Sequence, residues 1–306
     1  MQRSRAQISR QTLSAARRAL LFAIVFLSAV IPSWAKRVVT DEEGRTVTLP
    51  DRVTRVISLT PSVTNTIYAV GGAPQLIAIT NYTFYPPQAS KEKPSIGDIL
   101  SPSLERIASM RPDVVIAVST LNSPDTVRGL ERMGIPVYLI QGRGLAGVYR
   151  TVESVGRVLG RENEAAALVR QLRERERQIR EQFQNARRPA VFLVLSIDPC
   201  ITAGRGAFIT EMIGAAGARS ITQDLAQDWM RVSLEAMIPR KPEFLLMMMD
   251  APFQLKDLQS RPGWATMEAV RRGRLLRVDD RLQVPGPVAF DGLEQFARQL
   301  RAAEGR

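Results

Sequence analysis

Two segments of the chain carry the same acidic motif at the same spacing. SLERIASMRPDVVI (103–116) and SLEAMIPRKPEFLL (233–246) each begin with Ser-Leu-Glu and continue with a basic residue, a proline, an acid and an apolar run. The same offset separates every matched position, so the two leading acids are Glu105 and Glu235. An exposed carboxylate can act as a general acid or base, or it can pair with a basic partner.

The repetition has two explanations at this level. Any helix followed by a strand needs a cap, a proline stop and an apolar strand, and serine and glutamate both suit the first turn of a helix. Alternatively, each half of a two-lobed protein presents the same acid on the same face, which suits a pseudo-twofold partner with basic sockets. In both cases Leu104 and Leu234 should point inward and the glutamates outward.

Histidine and cysteine, on which many enzymes and metal sites depend, are almost missing from the chain. The chain has no histidine, and Cys200 is its only cysteine. Hydrolytic triads, zinc catalysis, histidine-ligated haem and internal disulfides are therefore excluded. A binding protein needs none of these, so we expect no catalytic residue, no metal ligand and no resident cofactor. An exported enzyme that uses Asp279, Asp280 or Glu235 in acid–base chemistry is the alternative.

One glycine motif resembles a nucleotide-binding fingerprint. GRGLAG (142–147) follows the predicted strand IPVYLI (135–140) and opens a helix, which is the context that the dinucleotide motif requires. The acid that should end the next strand about 20 residues later is missing, because that position falls inside a helix. We interpret these glycines as shaping a turn.

The elements that must position these residues alternate between strands and helices, which indicates an α/β protein with mostly parallel sheets. The strand pattern stops between 148 and 185, where Gly160 separates two helices. The second, at 162–185, would be about 36 Å long. Its narrow apolar stripe suits a rod lying against two lobes. The alternation restarts with the predicted strand AVFLVLSI (190–197).

The predicted architecture is two β/α lobes, each with a central sheet, joined by one long rigid helix and separated by a ligand cleft. We assign 36–160 to the N-terminal lobe, 161–188 to the connecting helix and 189–306 to the C-terminal lobe.

The first 35 residues have the pattern of a cleaved signal peptide. Five arginines without an acid precede an uncharged apolar run at 19–31, and small residues precede the expected cleavage after Ala35. The apolar run is shorter than a membrane span requires. We therefore expect a periplasmic protein. The formal charge is +12, but the arginines are scattered among acids, so we expect no nucleic-acid binding. We also expect a monomer.

The chain resembles the periplasmic substrate-binding proteins of ABC importers for vitamin B12, iron siderophores and haem. That family has its motifs at the positions of RVISLTPSVTNTIYAVGG, YPPQA and the two matched segments. The likeness covers the whole predicted mature chain. TNYTFYPPQA and Trp229 place it nearest the cobalamin binders. Two positions depart from the family pattern: Asn65 stands where glutamate is usual, and Val288 stands where arginine is usual.

The resemblance implies a function for each candidate residue. Glu105 and Glu235 would dock onto arginines of a membrane permease that works with an ATPase. The ligand, a corrinoid or alternatively a ferric siderophore or haem, would lie between the lobes above the carboxyl ends of the strands. The loops expected there are 60–62, 81–86, 96–100, 198–203, 227–229 and 279–286.

Within these loops the expected ligand-binding residues are Thr60, Pro61, Ser62, Tyr82, Tyr85, Trp229 and Asp280. Tyr82 and Trp229 would cover the faces of a corrin, one from each lobe. The alternative is that Tyr82 is an ordinary loop residue and that Trp229 packs in the core. Tyr85 could instead ligate haem iron or form part of a rigid turn.

Overall fold

The structure, a computed structural model, describes residues 35–305. The predicted signal peptide therefore lies outside the described residues, except for Ala35. No helix within residues 35–305 is long and apolar enough to cross a membrane.

The N-terminal lobe contains a hairpin and a four-stranded parallel sheet. The hairpin strands pair through Val39 and Val47, around the predicted turn. The sheet has the order β4-β3-β5-β6 and is covered by helices. The elements are β1 (Lys36–Thr40), β2 (Thr46–Pro50), β3 (Val56–Ser58), α1 (Pro61–Ala69), β4 (Leu76–Ala78), α2 (Pro87–Glu92), α3 (Leu104–Ser109), β5 (Val114–Val118), α4 (Pro124–Arg132), β6 (Val137–Ile140) and α5 (Gly144–Leu159).

The C-terminal lobe follows one long helix and has the same parallel sheet topology. Its sheet has the order β10-β7-β12-β13, and a small antiparallel sheet has the order β11-β9-β8. The elements are α6 (Glu162–Gln182), β7 (Ala190–Leu193), β8 (Ser196–Ile197), β9 (Cys200–Ala203), α7 (Phe208–Ala215), β10 (Arg219–Ser220), β11 (Trp229–Arg231), α8 (Leu234–Met237), a 3-10 turn (Ile238–Arg240), β12 (Phe244–Met248), α9 (Leu255–Gln259), α10 (Pro262–Ala265), α11 (Glu268–Arg271), β13 (Leu275–Val278), a 3-10 turn (Asp280–Gln283) and α12 (Ala289–Glu304).

Four sequence predictions need correction. The single strand predicted at 190–197 is two strands, because the chain leaves the parallel sheet after Leu193 and pairs in the antiparallel sheet as β8. Part of the loop expected at 198–203 is strand β9, and Trp229, expected in a loop, begins strand β11. The long helix ends at Gln182 rather than near residue 185.

The two matched segments occupy equivalent places in the two sheets. Each forms a short helix, α3 or α8, followed by a central strand, β5 or β12, and the residues joining them, Arg111 and Lys241, both have left-handed backbones with φ of 46° and 48°. The acidic residue that follows the proline in each segment accepts backbone hydrogen bonds from the start of the neighbouring strand. Asp113 accepts hydrogen bonds from the Thr54 and Arg55 amides, and Glu243 accepts one from the Ala190 amide. Much of the repetition is therefore structural.

The long helix α6 binds both lobes, and a continuous apolar core joins them. Tyr149 of α5 donates a hydrogen bond to Glu176 of α6 on the N-terminal side. On the other side Arg175 pairs with α12 of the C-terminal lobe. The Tyr149 ring also packs on Phe290 of α12, with the ring centroids 6.0 Å apart. These contacts bury apolar surface between the lobes, so large hinge movements would expose it to water.

Candidate ligand-binding cleft

A cavity of about 260 Å³ lies between the two lobes. Its N-terminal wall comes from the start of α1 and from the segments that follow β5 and β6, which end at the same edge of the sheet. Its C-terminal wall comes from the segments before α7, β11 and α12. The lining residues are Ser62, Val63, Val118, Thr120, Leu121, Gly142, Arg143, Gly144, Thr151, Gly206, Ala207, Phe208, Asp228, Trp229, Gln283 and Pro285.

The predicted segment 60–62 forms the beginning of helix α1. Thr60 is fully buried, and its hydroxyl accepts a hydrogen bond from the Val63 amide as the N-cap. Pro61 is the first helical residue and is half-buried. Ser62 lines the cavity, and its hydroxyl lies 3.1 Å from that of Thr60. Of these three residues, only Ser62 reaches the cavity.

The two predicted aromatic residues are exposed, but they do not both line the cavity. Trp229 lines it and is 48% exposed, so its ring is not a core side chain. Tyr82 is 66% exposed and lies outside the cavity lining, paired with Phe84 at a centroid distance of 6.5 Å. Its backbone is left-handed, with φ of 59°, which is unfavourable for a bulky residue. The local fold therefore holds Tyr82 in an outward position.

Tyr85 and Asp280 lie close together although they belong to different lobes. Burial raises the pKa of Tyr85, and the negative charges of Asp279 and Asp280 raise it further. Burial also raises the pKa of Asp280 to about 6, and the carboxyl group of Asp250 beside it adds to the effect. The Asp280 Oδ1 atom is buried without a hydrogen-bond partner among the described residues. Neither Tyr85 nor Asp280 is part of the cavity lining, and Arg281 beside them pairs with Asp279.

Several lining residues come from segments that the sequence analysis did not select. The carboxyl-end rule that selected loops 60–62 and 81–86 applies equally to the segments after β5 and β6, and these supply Leu121 and Arg143. Asn122 organises the first of these segments. Its side chain accepts a hydrogen bond from the Val118 amide and donates one to the Ile99 carbonyl at 2.9 Å.

The glycine motif at 142–147 shapes the cavity wall and meets the opposite lobe. Gly142 and Gly144 both have left-handed backbones, with φ of 62° and 65°. The start of α5 is occupied by a carboxylate, since the Leu145 amide donates to Glu211 Oε2 of α7 at 3.0 Å. A Cβ on Gly144 would lie only 2.4 Å from the same oxygen. A helix start that could hold phosphate here holds a side chain of the other lobe.

Both repeated glutamates are exposed, and Leu104 and Leu234 are half-buried, as the pattern predicts. Each glutamate accepts a hydrogen bond from the serine two residues earlier. The two carboxylates thus occupy equivalent places, each in the first turn of the short helix before a central strand.

No group of three or more Asp, Glu, Cys or His side chains in the described part of the chain is arranged to hold a metal ion. The functional side chains of the cleft are hydroxyl, aromatic and aliphatic groups, with charges at its edges. Such a site can bind and orient a ligand by contact and hydrogen bonding.

Comparison with known proteins assigns the family. The model of the periplasmic binding protein family matches residues 56–282. The chain is 27% identical to an uncharacterized ABC transporter substrate-binding lipoprotein, YvrC, of Bacillus subtilis, over 86% of this chain and 84% of that protein. It is 26% identical to the vitamin B12-binding protein of Vibrio cholerae, over 82% and 90% of the two chains.

A solved structure shows the same fold. The periplasmic heme-binding protein RhuT from Roseiflexus sp. RS-1, in its apo form, gives a TM-score of 0.74 at 24% identity, covering 82% of this chain and 99% of that one. Because the family model covers both lobes and the helix between them, the chain belongs to the periplasmic binding protein family.

Proposed function

We propose that this protein is the periplasmic binding component of an ABC importer and that it captures a corrinoid in the cleft between its lobes. Proteins of this family bind solutes and are not enzymes, so the acid–base alternative has no support. The observation that carries the proposal is a set of large apolar side chains left exposed in the segments after β4, β5 and β12 and at the start of β11, of which Leu121 and Trp229 line the cavity. These are Tyr82, Phe84, Leu100, Leu121, Trp229 and Met249, each at least 47% exposed.

Exposed apolar side chains from both lobes suit a broad ligand with apolar faces. A monomeric protein rarely leaves such a group uncovered unless it binds something. The cavity of about 260 Å³ is too small to enclose a corrin. A corrinoid would therefore enter the cavity at one edge and be covered by the surrounding aromatic and aliphatic side chains. The vitamin B12-binding relative supports this ligand class.

Haem and ferric siderophores are the alternative ligands of the same fold. Tyr85 is the residue that could ligate haem iron, but its surroundings oppose the phenolate form, since burial and the nearby carboxylates raise its pKa. Asp250 and Asp280 would disfavour a carboxylate beside Tyr85, although Arg281 offsets part of their charge. Val288 stands in place of the arginine usual in the family. The raised pKa of Tyr85 thus weighs against haem-iron ligation.

Delivery would depend on docking rather than on chemistry. Glu105 and Glu235 are exposed at equivalent places in the two lobes and would pair with basic residues of a permease that works with an ATPase. The core shared by the lobes, together with α6, keeps the separation between the two carboxylates nearly constant. We propose that the protein acts as a monomer after export through the segment at 1–35, with no resident cofactor and no nucleic-acid partner.

Isothermal titration calorimetry on the chain starting at Lys36 tests the ligand class. The titrants are cyanocobalamin, haemin and a panel of ferric siderophores. We expect saturable one-to-one binding of cyanocobalamin and weaker or no binding of the other compounds. Tight binding of haemin or of a siderophore, with none of cyanocobalamin, would refute the corrinoid proposal and leave the family assignment intact.

A further inference from the structure

Trp229 follows a segment, 225–228, that lies against the turn after β9. The antiparallel ladder between β9 and β11 ends with Trp229 opposite Ala203. The next amide along the chain, that of Gly204, donates a hydrogen bond to the Asp228 carbonyl at 2.9 Å. The turn and the 225–228 segment are therefore in direct backbone contact immediately before Trp229.

Gly204 is required at this contact for space rather than for its backbone angles. Gly204 is buried, and its φ is not in the left-handed region, so the backbone itself does not demand glycine. The neighbouring atoms leave no room for a larger residue. A Cβ at this position would overlap the Gln227 carbonyl oxygen and would lie 2.7 Å from that of Leu225. Both oxygens belong to the backbone, so no side-chain rotation can move them away.

A second glycine in the same turn has a different role. A Cβ on Gly206 would overlap Asp228 Oδ1, which is the end of a side chain that can rotate. Its distance to the nearest backbone atom, the Ala226 carbonyl oxygen, would be an ordinary 3.6 Å. Of the two glycines, only Gly204 sets how closely the backbone before Trp229 approaches β9.

We propose that Gly204 positions Trp229 for ligand binding by letting the 225–228 segment approach β9. A side chain at this position would push the segment away from β9 and move the Trp229 ring, which lines the cavity, out of its place. Gly204 is not part of the cavity lining, so it acts through Trp229 and does not touch the ligand. The inference rests on the proposed function, because it assigns the Trp229 ring to the bound corrinoid.

Calorimetry of two alanine variants tests the position of Trp229. Gly204→Ala should bind cyanocobalamin about tenfold more weakly than wild type, which is the loss expected when an aromatic contact is removed. Gly214→Ala, in α7 of the same lobe, is the matched control, since a Cβ there would meet only the Arg188 side chain at 3.5 Å. The affinity of this control should equal that of wild type.

A double variant distinguishes positioning of Trp229 from a general weakening of the lobe. Gly204→Ala combined with Trp229→Leu should bind cyanocobalamin no more weakly than Trp229→Leu alone, because both changes remove the same contact. Losses that add in the double variant, or wild-type affinity in Gly204→Ala, would overturn the proposal. If Gly204→Ala does not fold, hydrogen exchange of the wild type decides: cyanocobalamin should slow exchange at the Gly204 amide, and unchanged exchange would overturn the proposal.

Fluorescence follows Trp229 without a ligand. In the chain starting at Lys36, Trp229 and Trp264 are the only tryptophans, so Trp264→Phe leaves Trp229 as the single probe. Gly204→Ala in this background should shift the emission to longer wavelength, because the ring moves into solvent, and unchanged emission would overturn the proposal. If wild type does not bind cyanocobalamin while Gly204→Ala shifts the emission, the proposed ligand is wrong and the positioning of Trp229 stands.

Discussion

Asn65 and Val288 belong to different lobes and are joined by a hydrogen bond, in which the Val288 amide donates to Asn65 Oδ1 at 3.0 Å. Asn65 lies in α1 and is 7% exposed, and Val288 immediately precedes α12. Gly286 packs against the same oxygen, since a Cβ there would lie 2.9 Å from it. The resemblance implied glutamate and arginine at these two positions. A neutral hydrogen bond joins the lobes here instead.

Replacing Asn65 by leucine, whose branched side chain has the same number of heavy atoms and no hydrogen-bond acceptor, should weaken this connection. The Val288 amide would lose its acceptor in a mostly buried place, which costs about 1–2 kcal/mol of unfolding free energy. Urea denaturation measures the loss, and hydrogen exchange should show faster exchange at 286–290. Asn185→Ala, at an exposed position, is the control. An unchanged midpoint with unchanged exchange would mean that the contact does not hold the lobes.

The general architecture could be read from the sequence because its signals are local. The apolar stripe of α6, the stop at Gly160 and the short buried strands each depend on residues a few positions apart. The spacing of the matched segments also predicted two equivalent units. The small sheet β8-β9-β11 escaped prediction because strands of two to four residues have too few positions for an alternating pattern.

The composition of the cleft depends on contacts between distant residues, so the sequence predicted it only in part. Trp229 and Ser62 were selected and line the cavity, and Asp228 was selected as part of loop 227–229, but Arg143 and Thr151 were not selected. Nothing in the residues around position 211 indicates that a carboxylate from α7 occupies the start of α5. Only the packing of the two lobes brings Glu211 and Leu145 together.

Trp229 should contribute to ligand affinity and not to stability. Because its ring is half exposed beside the cavity, Trp229→Leu should weaken cyanocobalamin binding about tenfold, a loss typical of an aromatic contact residue, while the unfolding midpoint stays nearly constant. Trp264→Leu is the matched control. Trp264 is buried and stacks on Phe192 with centroids 6.0 Å apart, so its replacement should lower stability by about 3 kcal/mol. Calorimetry measures the ligand affinity of both variants, and denaturation measures their stability. Equal ligand affinity in Trp229→Leu and wild type would mean that Trp229 does not contact the ligand.

The partly buried carboxyl group of Asp280 should make stability depend on pH. The pKa of Asp280 is raised from 3.8 to about 6, so the folded protein binds more protons than the unfolded chain between these values. The unfolding free energy therefore falls as pH rises from about 4 to about 6, and it stays at the lower value above that range. Asp280→Asn should add about 1 kcal/mol at pH 7.5, after allowance for solvent screening, and nothing at pH 3.

The neighbouring acid provides a control of opposite sign. Hydrogen bonding to Arg281 lowers the pKa of Asp279, so its contribution is present at neutral pH and is lost on acidification. Asp279→Asn should therefore destabilise the protein at pH 7.5. Denaturation of both variants across pH 3–8 gives the comparison. If Asp280→Asn and wild type show parallel pH profiles, burial and Asp250 do not raise the pKa of Asp280.

Charge reversal at the two repeated glutamates should separate docking from binding. Glu105→Lys combined with Glu235→Lys should abolish uptake in a reconstituted importer, because two attractive contacts become repulsive, while cyanocobalamin affinity stays within about twofold of wild type. Glu153→Lys combined with Glu304→Lys makes the same change in net charge at exposed positions on α5 and α12. Uptake should survive in that variant. Normal uptake by the Glu105 and Glu235 variant would show that the permease does not recognise these residues.

Replacing Ser103 and replacing Ser233 should have different effects on the stability of the protein. Ser103 accepts a hydrogen bond from the Arg106 amide at 3.2 Å as well as contacting Glu105, so Ser103→Ala should lose about 1 kcal/mol of stability with the helix cap. Ser233 makes no such cap and donates to Glu235, which lowers the pKa of that carboxyl group. Ser233→Ala should therefore leave the unfolding midpoint unchanged and raise the pKa of Glu235, as followed by NMR titration. A loss of stability in Ser233→Ala with no change in that pKa would mean that the serine serves the helix and not the carboxylate.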